Sequence, residues 1–304
     1  MPVPFASLMV PIDRLQARVL DSAGAGPVVL ILASPLINAD LYRPTLAALT
    51  PQWRVLVAEL PGSGAATQLA APYTTSQLAD LVPPLLEALG IDSVAQLVGH
   101  SSAGAIALQV AVRHPRRLQR LVLADSSGGH PPAPLLAVLA ARALDGLLEW
   151  RLTLAGAPAL LANLRRHRRS FLRHLRDSRE DALLLQAPQV SCPVLLAWGG
   201  RDHTMPLASA RRFLAALPAA RLLVLPDGSH DWLIEYPQAF AHALGIPGTT
   251  ALEEWLEPAR PASRLARARD RLAELARRRP PRGAAPALTA GSAREAAAAL
   301  ARSA

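Results

Sequence analysis

The apolar positions of the chain follow two periods, and the way these alternate predicts the architecture. Short apolar runs bounded by turn residues predict strands at residues 8–13, 15–20 and 28–32, the last after the turn Asp21-Ser22-Ala23-Gly24-Ala25-Gly26. The run Val28-Val29-Leu30-Ile31-Leu32 shows no polar alternation, which suits a strand covered on both faces. A helix is expected over 42–49, a strand over 53–60, and a tight loop at Pro61-Gly62-Ser63-Gly64. Leu78, Leu81, Val82, Leu85, Leu86 and Leu89 recur at helical spacing and predict one helix over 76–89. The alternation continues with a strand at 94–98, a helix at 102–114, and strands at 118–124 and 194–198. A helix at 207–217, a strand at 221–225 and a helix at 231–244 complete it. Strand and helix in turn predict an α/β, doubly wound, mostly parallel sheet.

One segment breaks the rhythm. Residues 126–188 open with Pro131-Pro132-Ala133-Pro134 and then read as two or three helices rich in leucine, alanine and arginine, without strand signals. An all-helical insertion above a sheet edge is expected to be a cap. The core is therefore assigned to residues 1–125 and 189–248. Residues 249–304 become an alanine-, arginine- and proline-rich extension, expected to be disordered or loosely helical, with one amphipathic stretch at 262–279.

Composition narrows the class. A chain of 304 residues, 51% hydrophobic, can bury a sizeable core. No uncharged apolar run reaches the roughly 18 residues of a spanning helix, and the start Met1-Pro2-Val3-Pro4-Phe5 has no basic segment before an apolar one. The expectation is a cytoplasmic protein without stable membrane insertion. The single cysteine, Cys192, excludes an internal disulfide framework and a thiolate metal cluster. The net charge of +9 comes from arginine alone and concentrates at 165–179 and in the extension. With few aromatics interleaved and no groove-binding motif, it reads as a solvated arginine face and not as a nucleic-acid surface. A small-molecule substrate is expected, and the oligomeric state stays open.

The chemistry concentrates around Gly99-His100-Ser101-Ser102-Ala103. Small residues bracket Ser101 between a predicted strand and a predicted helix, the arrangement of a nucleophile elbow. There the tight turn admits little bulk two positions away on either side. The helix N-terminus after it directs backbone donors toward a developing oxyanion. A serine hydroxyl needs a base, and the base needs a group to fix its tautomer. Asp202 follows the strand at 194–198, and His230 follows the strand at 221–225, so all three groups emerge from carboxyl ends of strands. Asp125, at the end of Leu121-Val122-Leu123-Ala124, is the alternative acid. His100 reads as a structural side chain, His114 as a helix-end residue and His203 as part of the acid loop. No histidine and carboxylate grouping has metal-ligand spacing, so neither metal nor cofactor is expected.

These residues resemble the α/β-hydrolase superfamily, whose triad runs serine, acid, histidine in chain order. The similarity covers about residues 8–246 and includes Leu60-Pro61-Gly62-Ser63-Gly64 and the approach from His230 through Glu235 and Pro237. It implies Ser101 as nucleophile, His230 as base and then acid, Asp202 as orienting carboxylate, and the Ser102 N–H as one oxyanion donor. The second donor falls on Pro35, which has no N–H, or by a shift of one residue on Ser34 or Leu36. The implied activity is hydrolysis of a small, largely apolar ester or related acyl compound through an acyl-enzyme. Acyl transfer or a cofactor-free non-hydrolytic reaction on the same fold, and a non-catalytic ligand-binding protein with an impaired oxyanion site, remain the alternatives.

Overall fold

The computed structural model describes residues 5–35, 37–130, 134–177, 182–245 and 253–255. Nine strands form one sheet: β1 (Ala6–Ile12), β2 (Leu15–Asp21), β3 (Val28–Leu32), β4 (Arg54–Glu59), β5 (Gln96–His100), β6 (Leu121–Ala124), β7 (Val194–Gly199), β8 (Ala220–Leu225) and β9 (Glu253–Trp255). Their spatial order is β1-β2-β4-β3-β5-β6-β7-β8-β9. The first two pairings are antiparallel and all later ones parallel. Strand β3 is followed by β4 on one side of the sheet and β5 by β6 on the other, so a crevice opens at the carboxyl ends of the neighbouring β3 and β5, where ligands bind in such sheets.

The unbroken apolar character of β3 has the expected cause. Leu30 and Leu32 enter one hydrophobic layer, and Val29 and Ile31 the other. On the first side pack α2 (Thr75–Ala79), α3 (Val82–Ala88), α4 (Ser102–Arg113) and α8 (Leu207–Ala216). On the second lie α1 (Arg43–Leu49), α9 (Trp232–Glu235) and α10 (Pro237–Gly245), with Trp232 and Phe240 in edge-on contact.

Several expected elements are redrawn. The helix expected over 76–89 is two helices, because Pro83 and Pro84 cannot donate into a continuing helix and their rings clash with the preceding turn. Thr74 and Gln77 form a capping box at the start of the first. Pro237 divides the last helix in the same way. Strand β5 begins two residues later than expected and runs to His100, so Ser101 follows it directly, while Val94 makes only an isolated bridge with Leu118. The extension contributes β9, which adds to β8 in parallel beyond the expected core boundary at residue 248. A three-residue edge strand carries no readable period. The amphipathic stretch at 262–279 lies outside the described residues.

Among the described residues between β6 and β7 stand three α-helices, α5 (Leu135–Leu148), α6 (Trp150–Arg166) and α7 (Arg168–Asp177). Asn163 ties α6 to the core by donating to the Pro35 carbonyl at 3.2 Å and accepting from the Gly64 N–H at 2.9 Å. His167 donates to the Gly64 carbonyl at 2.9 Å.

Candidate active site

Strand β5 leads straight into α4, and Ser101 occupies the turn between them with φ 55° and ψ −126°. A non-glycine residue in that region carries strain, which the surroundings hold by over-determination. The Ser101 N–H donates to the Ala124 carbonyl and its own carbonyl accepts from Ser127 N, both at 3.0 Å. A Cβ on Gly99 would lie 2.6 Å from both Ala107 Cβ and Gly104 Cα, which explains the small residue before the serine. On the far side the demand falls on Gly104, where a Cβ would stand 2.0 Å from Ser126 Oγ; Ala103, two residues after the serine, fits fully buried.

Ser101 Oγ–H donates to His230 Nε2 at 2.9 Å, and His230 Nδ1–H donates to Asp202 Oδ2 at 2.9 Å. All three side chains are buried. Asp202 is fixed through its other oxygen by the Met205 N–H at 2.7 Å. Burial disfavours a proton on His230, but the Asp202 charge and hydrogen bond, helped by Asp231, outweigh it and hold the ring above the ordinary histidine value. Burial pushes the Asp202 carboxyl up, and His230 and the Met205 N–H pull it back. The arrangement can take a proton from the hydroxyl onto Nε2 and give it up again from the same nitrogen, while Asp202 holds the ring through Nδ1.

Asp125 ends β6 with φ 45° and accepts from the Gly199 N–H at 2.8 Å, whereas the hydrogen bond to His230 is made by Asp202. Burial first, and then the neighbouring Asp202 charge, push its carboxyl well above the usual range. Of the positions weighed for the second oxyanion donor, Ser34 gives its N–H to Tyr42 Oη at 3.1 Å, Pro35 has none, and Leu36 lies outside the described residues. Ser34 Oγ and Ser102 Oγ stand 3.3 Å apart.

His100 belongs to a directed chain. The Ser34 N–H donates to Tyr42 Oη, which donates to His100 Nδ1 at 2.7 Å, and His100 Nε2–H donates to the His230 carbonyl at 3.2 Å. Burial lowers its pKa to about 4, so the ring is neutral, as the chain requires. His114 closes α4 against Asp80 at 2.8 Å, and His203 Nδ1 meets Asp145 at 2.8 Å.

The sequence reading missed a polar clamp between cap and core. Arg142 on α5 reaches Asp231 Oδ2 at 2.6 Å, beside His230, and Glu149 Oε1 accepts the Asp231 N–H. Asp145 accepts from Thr204 N at 2.7 Å and Thr204 Oγ1 at 2.6 Å. Burial, then Asp231, push the Glu149 carboxyl to about 9, while Arg142 above all overcomes burial to hold Asp231 below the usual carboxylate range. The spacing of 142, 145 and 149 on one helical face was the available signal. Above Ser101 and His230 the cap and core form a cavity of about 430 Å³, walled mainly by apolar side chains such as Ile37, Leu41, Val138, Leu152 and Phe171, with Arg142, Thr153, His174, Thr204 and Asp231 among its other polar lining. That volume is of small-molecule size.

A family model described as alpha/beta hydrolase fold matches residues 26–175. A pimeloyl-(acyl-carrier protein) methyl ester esterase of Chromobacterium violaceum is 28% identical over 248 residues, spanning 74% of this chain and 95% of that protein. The crystal structure of a hydrolase from Pseudomonas aeruginosa PA01 is similar at TM-score 0.65 and 26% identity, covering 79% of this chain and 96% of that one. An enol-lactonase from Burkholderia xenovorans LB400 is similar at TM-score 0.64 and 23% identity, over 79% and 98%.

Proposed function

The chain belongs to the α/β-hydrolase superfamily, and from that premise we propose that it hydrolyses small, largely apolar esters through a Ser101-His230-Asp202 triad. The observation that carries this reading is the continuous hydrogen-bonded line from Ser101 Oγ through His230 to Asp202 at the floor of an apolar cavity. The ester named for the Chromobacterium relative supports the same bond class.

In the proposed reaction His230 Nε2 takes the Ser101 proton as Oγ attacks the ester carbonyl carbon, and Asp202 stabilises the imidazolium. The oxyanion forms against the Ser102 N–H at the start of α4. Collapse breaks the bond to the alkoxy group, which leaves with the His230 proton, and Ser101 carries the acyl chain in the cavity. Water then gives a proton to His230 and attacks the acyl carbon, and the carboxylic acid departs as Oγ regains its proton.

A fluorophosphonate probe is expected to label the wild-type protein and spare Ser101→Ala, with turnover of short p-nitrophenyl esters abolished in parallel. Labelling of Ser101→Ala, or no ester turnover by the unmodified protein, refutes the reading and favours a ligand-binding role.

A further inference from the structure

We propose that the outer face of the helical cap docks onto an anionic lipid surface. Helix α5 is built inside out. Val138, Arg142, Asp145 and Glu149 share the face turned to the core, where the three ionisable groups find Asp231, Thr204 and His203. The opposite face offers Leu136 at 80% exposure and Leu147 at 73% to solvent. On α6, Trp150, Leu154 and Leu161 follow one another along an outward stripe, 52% to 65% exposed, while Gly156 and Asn163 turn inward. Large contiguous apolar surface of this kind marks a face that something covers.

Charge narrows the occupant. On α6 and α7, the helices beside this surface, Arg151, Arg165, Arg166, Arg168 and Arg169 are exposed. Among the described cap residues, Asp145 and Glu149 are buried and Asp177 is paired with Arg173 at 2.8 Å, so no exposed carboxylate offsets the arginines. Arg166 and Arg169 bond the carbonyls of Ala66 and Ala70, which leaves their charge uncompensated. A second copy would set arginine against arginine, and the arginine-rich segment 256–304 carries the same sign. Protein interfaces favour aromatic residues and methionine, whereas this face is leucine and alanine around one tryptophan. Acyl chains beneath anionic headgroups match both features.

The face also continues into the site. Leu139, Leu147 and Leu160 line the cavity over Ser101 and are themselves exposed. An apolar molecule dissolved in the lipid can therefore pass along leucines to the cavity. Among the described residues no helix is long and apolar enough to cross a membrane, so the contact is interfacial.

The test is co-sedimentation of the full chain with vesicles of equal phosphatidylglycerol and phosphatidylcholine, and with phosphatidylcholine alone. The wild-type protein is expected to partition onto the anionic vesicles and only weakly onto the neutral ones. Trp150→Ser/Leu154→Ser is expected to weaken partition at least about tenfold while turnover of a short soluble ester is unchanged. Arg165→Gln/Arg168→Gln/Arg169→Gln is expected to lose about a hundredfold, since each arginine near an anionic surface is worth roughly fivefold. Wild-type partition by both variants assigns the binding to segment 256–304 and overturns the proposal. So does an absence of binding to the anionic vesicles by the wild-type protein; a dimer that Trp150→Ser/Leu154→Ser abolishes, or binding to a purified acidic protein, would then name the occupant instead.

Discussion

Replacing Arg142 with Met keeps much of the stem's volume but removes the cation joining α5 to Asp231. The guanidinium lies 2.6 Å from Asp231 and 3.5 Å from Glu149, whose side chains are 5% and 1% exposed, so neither recovers its hydration unless the cap opens. Breaking one side of a buried pair costs about 3–5 kcal/mol. Two features favour the lower end. Arg142 keeps 32% of its surface in solvent, and Glu149, already pushed to about 9, is protonated near neutral pH and leaves Asp231 as the one stranded anion. A loss of about 3 kcal/mol corresponds to a fall in Tm of roughly 6–12 °C for a domain of this size. The substitution acts on His230 as well, because the Arg142 charge lowers its proton affinity and the Asp231 charge raises it. The acidic limb of kcat/KM for a p-nitrophenyl ester is therefore expected to move to higher pH in Arg142→Met and to lower pH in Asp231→Asn. Arg142→Met/Asp231→Asn should regain much of the lost stability, since no buried anion is then left unpaired. Thermal unfolding and pH-rate profiles read both effects. A loss below about 1 kcal/mol in Arg142→Met, or a limb that moves to lower pH, refutes the reasoning.

Asp202→Asn is expected to lower kcat by about 10³- to 10⁴-fold by removing the group that sets the His230 tautomer. Because Asp202 makes the hydrogen bond to His230 Nδ1, Asp125→Asn should cost less than about tenfold; a larger loss for Asp125→Asn than for Asp202→Asn would reverse the two roles. Because His230 must be neutral to accept the proton and its pKa is raised, kcat/KM should rise with pH through a value above the ordinary 6.5. The same shift contributes stability that is complete below the unfolded-state value and is lost as pH climbs through the folded one. Gly104→Ala should destabilise by about 1–3 kcal/mol in denaturant unfolding, with partial relief from Ser126→Gly, because its Cβ would sit 2.0 Å from Ser126 Oγ. Truncation after residue 248 should cost about 1–2 kcal/mol relative to truncation after residue 260 by uncovering the β8 edge. Equal stability of the two would mean that β9 contributes nothing.

The parallel order of the central strands was legible because strand and helix periods alternate cleanly, and the surroundings of Ser101 because a tight turn imposes small residues locally. The clamp was not. Arg142 and Asp231 are 89 residues apart, and Asp145 and Thr204 are 59 apart, so each reads as an ordinary charged or polar residue until folding brings its partner. Helix α5 departs from the usual inference as well, since Asp145 is buried against the core while Leu136 is 80% exposed. Prolines 83, 84 and 237 were visible, but the leucine period running through them was weighted above their missing donors. Asp202 and Asp125 follow adjacent strands, and only the direction of the His230 ring separates their roles.

The chain from the Ser34 amide through Tyr42 and His100 to the His230 carbonyl has one permitted polarity, because an amide can only give a proton and a carbonyl can only receive one. Phenylalanine at position 42 would orphan the amide and the ring nitrogen together, and leucine at position 100 would orphan the phenol and the carbonyl. Sequence drift at either position is therefore constrained by the other. In descendants of this protein the pair is expected to be kept whole or exchanged in concert, and a library varying both positions at once should recover active combinations that neither single-site library contains.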